Sequence, residues 1–109
     1  MKPGVATLHF NRGVAHADLD NALAAIADYT EAIRLWPEFD AALHNRGYEF
    51  EKRGDTKRAV ADYEAALRIK PDLKPSLKRL EGLRRDGDYE RGGRARFRGF
   101  NRYPIAWGA

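Results

Sequence analysis

Apolar and small residues recur at helical spacing through the middle of the chain. Leu43, Gly47 and Phe50 fall three or four positions apart, which places them on one face of a helix. The segment KRGDTK at 52–57 interrupts that stripe, with Gly54 to turn the chain and Asp55 to cap the next helix. Ala59, Tyr63, Ala66 and Leu67 mark a second stripe, which stops at Pro71 because proline lacks the N–H that a continuing helix needs. The pattern predicts a hairpin of two helices.

The same pattern is written once before. Asn11-Arg12-Gly13 returns as Asn45-Arg46-Gly47, and AIADYTEAIRLWP, ending at Pro37, returns as AVADYEAALRIKP, ending at Pro71. Every match has the same 34-residue offset, so residues 6–39 and 40–73 are two copies of one hairpin. A single hairpin cannot bury its own apolar face, whereas a second one stacked beside it can. The small residues fit this reading: Gly47 and Ala59 allow the two helices of a hairpin to approach closely, and Tyr63 fills the gap between hairpins. Ala59 therefore marks the tight crossing, while Glu51 carries little of the packing.

A third unit starts at Lys74 and then decays. Leu77 and Leu80 keep their places, with Leu73 and Leu83 extending one stripe, but Glu81 stands where glycine belongs. A helix over 74–88 with a polar outer face is predicted, as the last hairpin of a stacked array requires. Further on, Gly92-Gly93 replace Ala59-Val60 of the preceding unit, at a cost of about 2 kcal/mol in helix propensity, so no stable helix is predicted beyond Asp88. The organisation is a repeat domain over 1–90 and a tail over 91–109. With about three repeats needed for a stable array, the chain is expected to be marginal alone. An apolar face is left open at its N-terminal end, where His9 and Phe10 stand unstacked, and self-association or a partner is expected to cover it.

The paired hairpins resemble the tetratricopeptide repeat. The family's pattern of large residues, glycine, alanines, an aromatic and a closing proline falls on Leu43, Arg46, Gly47, Phe50, Ala59, Tyr63, Ala66 and Pro71. In the first unit it falls on His9, Arg12, Gly13, His16, Ala25, Tyr29, Ala32 and Pro37. The departures are Arg12 and Arg46 for leucine, together with His9 and His16, and they are expected to weaken the outer packing of the first unit while leaving the contacts between its helices intact. The resemblance implies an all-α, right-handed solenoid of antiparallel helix hairpins. It also implies a non-catalytic module of scaffold, adaptor or co-chaperone type that binds a partner peptide in a concave groove lined by the first helices of the units. On that register Phe10, Asn11, Val14, His44, Asn45, Tyr48, Lys78 and Arg79 line the groove. Some members of the family clamp the C-terminal carboxylate of a partner with five residues. Asn45 and Arg79 match that clamp, and Phe10, Val14 and Pro75 do not. The repeated asparagine has two readings: plain duplication, or an amide that pairs with an extended peptide backbone.

Charge refines the partner. Residues 1–67 hold 8 Lys/Arg against 11 Asp/Glu, whereas residues 68–109 hold 12 against 5. The basic end suits an acidic protein segment, a nucleic acid or an anionic surface. The tail RGGRARFRGFNRYPIAWGA interleaves five arginines with aromatic residues. That composition fits single-stranded nucleic acid, docking of the aromatic side chains on the last hairpin, or a linker. Protein is the expected partner and nucleic acid the alternative. The chain has no cysteine, which excludes disulfides and thiol chemistry. His9 and His16 are separated by about 10 Å along one helix, too far to share a metal without other ligands, and no set of residues marks an active site. No metal, cofactor or catalytic role is expected. The N-terminus lacks the apolar core of a signal peptide and no apolar run is long enough to span a membrane, so a cytoplasmic location is expected.

Overall fold

The computed structural model describes residues 3–86, which form five α-helices: α1 (Pro3–Asp18), α2 (Ala22–Leu35), α3 (Asp40–Lys52), α4 (Thr56–Ile69) and α5 (Lys74–Asp86). Each helix packs on the next, so α1–α2 and α3–α4 are hairpins, α3 lies on α2, and α5 lies on α4. The result is an all-α solenoid of two hairpins and a closing helix. The tail at 91–109, and the end expected for the last helix at residue 88, lie outside the described residues.

The two hairpins are built with the same devices 34 residues apart. Asn21 caps α2 by accepting from the Ala24 N–H at 3.4 Å, and Asp55 caps α4 by accepting from the Arg58 N–H at 3.2 Å, so each satisfies a donor that the first turn leaves unpaired. At the other ends, the N–H groups of Trp36 and Lys70 close on the carbonyls of Ala32 and Ala66, and Pro37 and Pro71 follow. The turn between helices needs a left-handed residue in both hairpins. Gly54 supplies it with φ 83°, and Asp20 supplies it with φ 61°.

The arginines that stand in place of leucine hold the hairpins together. Arg12 donates to both oxygens of Asp28, Nε to Oδ2 at 2.8 Å and Nη2 to Oδ1 at 2.7 Å. Arg46 does the same to Asp62, both at 2.8 Å. Each aspartate is buried, and the Arg12 guanidinium holds the Asp28 carboxyl below its ordinary pKa. The contacts between the helices are kept, but by other means than the family's leucine: each hairpin has a two-pronged ion pair between its helices. In the first hairpin the histidines join it, with His9 Nδ1 3.7 Å and His16 Nε2 3.6 Å from the Asp28 oxygens. In the second, Phe50 takes the place of His16, and the guanidinium groups of Arg46 and Arg58 lie over its ring at 5.9 and 5.8 Å.

The glycines of the repeated triplet face these aspartates. A Cβ on Gly13 would lie 2.7 Å from Cε1 of Tyr29, and one on Gly47 would lie 3.1 Å from both the Tyr63 ring and the Asp62 Cβ. The nearest atoms across the crossing are therefore those of the Asp-Tyr pair. Ala59 is fully buried too, within a cluster of Val60, Tyr63 and Leu80 that joins α4 to α5. A second cluster joins the hairpins through Ala6, Ala32, Phe39 and Ala42. Phe10 belongs to this cluster: its ring stacks on Phe39 at 4.9 Å and on Tyr29 at 5.8 Å. The open face expected around His9 and Phe10 is thus partly covered at both, by Phe39 at the start of α3 and by the Asp28 cluster, and both residues are half-buried. Val5 and Leu8 are the large apolar residues of α1 left to solvent.

Candidate functional site

The first helix of each unit meets the first helix of the next along one surface. Phe10 on α1 touches Phe39 at the start of α3, His44 on α3 meets Ser76 on α5 at 2.7 Å, and Arg79 on α5 reaches Glu51 on α3. The eight residues that the repeat register assigns to the groove are distributed along α1, α3 and α5.

At the α3–α5 end a connected polar cluster forms. Glu51 accepts from the Tyr63 hydroxyl at 2.7 Å and from Arg79 twice, Nε at 3.1 Å and Nη2 at 2.6 Å. Burial and the adjacent Glu51 carboxylate push the Tyr63 phenol well up, and the hydrogen bond to Glu51 holds the Arg79 guanidinium firmly charged. The Arg79 guanidinium also lies 5.2 Å from the centre of the Tyr48 ring, and the Lys52 ammonium lies 5.0 Å from it, within the range of attraction between a cation and an aromatic face. Tyr48 is exposed, so one flat ring is presented to solvent between two cations. Lys78 stands exposed beside Arg79 and makes no ion pair among the described residues.

The remaining expected groove residues have other neighbours. His44 is half-buried, with its ring 5.3 Å from Tyr63 and its Nδ1 at the Ser76 hydroxyl. Burial lowers its pKa from the usual 6.5, and the Arg79 charge adds to that. Asn45 is half-buried on α3, and it bears on the Tyr29 phenol, whose pKa burial raises. Its equivalent one repeat later is Arg79, which bears on Tyr63 in the same way. Asn11 is exposed on α1 and Val14 is half-buried.

Glu51, Lys52 and Ser76 belong to the cluster, although none was among the eight candidates. Glu51 in particular carries more of the packing than was expected of it, since it accepts from both Tyr63 and Arg79. The signal that could have found the inter-helix ion pairs was in the repeat itself, since arginine and aspartate recur with one 16-residue separation in both units. No group of three or more His, Cys, Asp and Glu placed to hold a metal occurs among the described residues, and none of their helices is long and apolar enough to cross a membrane.

Two family models match, both described as Tetratricopeptide repeat, one over residues 6–39 and one over residues 40–73. Together they cover more than half of the chain, with the boundaries of the two hairpins. No curated protein matches it significantly.

Proposed function

Because the chain belongs to the tetratricopeptide repeat family, whose repeats generally mediate protein–protein interaction, we propose that it is a non-catalytic adaptor whose α1–α3–α5 surface holds an extended, acidic segment of another protein. The observation that carries this reading is the exposed Tyr48 ring between Lys52 and Arg79. A flat aromatic surface costs little side-chain entropy to use as an anchor, and although Lys52 is already paired with Glu49 at 3.2 Å and Arg79 with Glu51, their remaining donors add attraction for carboxylates. Lys78 contributes a further positive charge on the same helix as Arg79.

Two donors of Arg79 are engaged by Glu51. A partner carboxylate therefore meets the other guanidinium edge and the Lys78 ammonium, or exchanges with Glu51. This competition favours ligands with more than one acidic group, or with a terminal carboxylate that has free access to the arginine. Asn11 and Val14 extend the surface toward α1, where an extended backbone finds an amide with both a donor and an acceptor.

The test is a displayed peptide library selected on the full chain, followed by titration of the best synthetic peptide against variants. Acidic sequences are expected. Lys78→Glu combined with Arg79→Glu is expected to weaken binding at least tenfold, and deletion of 91–109 is expected to leave it within a few fold. Binding that survives the double charge reversal and disappears on truncation would transfer recognition to the basic tail.

A further inference from the structure

The first hairpin is apolar where the second is not. Leu8, Leu19 and Leu23 are 69%, 78% and 65% exposed, and Val5 is 43% exposed. Thirty-four residues later, Ala42 stands for Leu8 and Phe39 for Val5, and both are buried where α3 meets α2. Arg53 and Lys57 stand for Leu19 and Leu23, and they are exposed. The first hairpin thus leaves open a face that its twin has covered, and extends it with leucines where its twin carries charge.

Val5, Leu8, Ala15 and Leu19 succeed one another at spacings of three, seven and four, so along α1 they form a single stripe. Arg12 is the one charged residue in that stripe, and its guanidinium is already paired with Asp28. At the other end of the described helices α5 exposes Lys74, Lys78, Glu81 and Arg85 around one leucine, Leu77, which is 41% exposed. Head-to-tail stacking would press those charges onto leucines. Head-to-head stacking places apolar surface on apolar surface, and a two-fold arrangement closes without leaving a second sticky end.

From this match we infer that the face made by α1 and the start of α2 is a docking site for the same face of a second copy of this chain, forming a two-fold dimer. A helix of 16 residues is about 24 Å long. Two such faces with their flanking leucines supply an interface near the lower end of specific dimers, roughly 1,000–1,200 Å² in total. Interfaces of that size are typical of weak, reversible association, with packing rather than area setting the affinity. The dimer face does not include the Tyr48 cluster, but it borders the α1 end of the proposed groove at Asn11, one turn from Leu8.

The test is sedimentation of the full chain from low to high micromolar concentration. Wild type is expected to pass from monomer to dimer over that range. Leu8→Glu and Leu8→Lys, each at an exposed position and checked for retained helicity by circular dichroism, are each expected to remain monomeric. An equimolar mixture of the two is expected to recover dimer, because opposite charges then replace like charges within one interface. Leu77→Lys on α5 is expected to associate like wild type. A wild-type chain that stays monomeric throughout, a Leu8→Glu chain that associates normally, or loss of association in Leu77→Lys with no rescue in the mixture would each overturn the inference.

Discussion

Arg46 holds Asp62 through two parallel hydrogen bonds of 2.8 Å, and the same grip occurs 34 residues earlier between Arg12 and Asp28. Each pair ties the first helix of a hairpin to the second, at the level of the glycine that lets them approach. The two copies differ in surroundings. The Arg46 side chain is 20% exposed and reaches on to Thr30 of the preceding hairpin, whereas that of Arg12 is 65% exposed.

Restoring the family's leucine at Arg46 should therefore destabilise. Arg46→Leu strands the buried Asp62 carboxylate and is expected to cost about 1–3 kcal/mol. Adding Asp62→Ala should recover most of that loss, since an apolar pair replaces an ion pair more cheaply than half of one. Arg12→Leu should cost less than Arg46→Leu. Chemical denaturation of the single and double variants reads all four values, and additive losses at Arg46 and Asp62 would contradict the coupling.

The turn residues give a test in the stabilising direction. Asp20 holds φ 61° where its counterpart is Gly54 at φ 83°. A left-handed conformation costs a side-chain-bearing residue roughly 1–2 kcal/mol, and the greater freedom of unfolded glycine returns about 0.5–1 kcal/mol of that. Asp20→Gly is expected to raise stability by about 0.5–1 kcal/mol, measured as an upward shift in Tm. A lower Tm would mean that the Asp20 side chain does more than turn the chain.

At His44 the pH dependence has a definite sign. Its folded pKa lies below 6.5 because burial and Arg79 disfavour the charged ring. The unfolded state therefore binds the proton more readily, and the stability His44 contributes is fully present above pH 6.5 and lost as pH falls toward the folded pKa. An NMR titration should find the His44 ring resonances moving below pH 6.5, and a midpoint above 6.5 would reverse the assignment. The contribution of Asp28 fades lower still, as acid protonates a carboxylate that Arg12 keeps ionised.

Ala59→Leu overfills a fully buried site between α4 and α5 and is expected to cost about 1–3 kcal/mol. Glu51→Gln should also be felt, at about 1–2 kcal/mol, because the carboxylate accepts from both Tyr63 and Arg79. Melting curves of the two variants decide it. No shift for Glu51→Gln would mean that the cluster is solvated rather than structural.

The hairpins were legible in the sequence because a 34-residue repeat of small residues, Asp-Tyr pairs and closing prolines has few physical solutions. The partners of charged residues were less so. Nothing in helical periodicity says that Arg12 turns inward to Asp28, and on the groove register Arg79 reads as a free carboxylate receptor although Glu51 already holds it. Phe10 shows the same limit: its place in the repeat puts it on the groove, but the large ring has room between Tyr29 and Phe39 and packs there. The exposure of Leu19 and Leu23 stands out only against the charged Arg53 and Lys57 of the second hairpin.

The sharpest test of the groove is an NMR map of the full chain with the selected acidic peptide added stepwise. If α1, α3 and α5 hold the partner, the largest amide shifts fall on inward positions of α3 and α5, around Tyr48, Lys52, Lys78 and Arg79, and extend to Asn11 and Val14 on α1. Shifts confined to residues 91–109, or to the outward faces of α2 and α4 with Tyr48 unmoved, would contradict it.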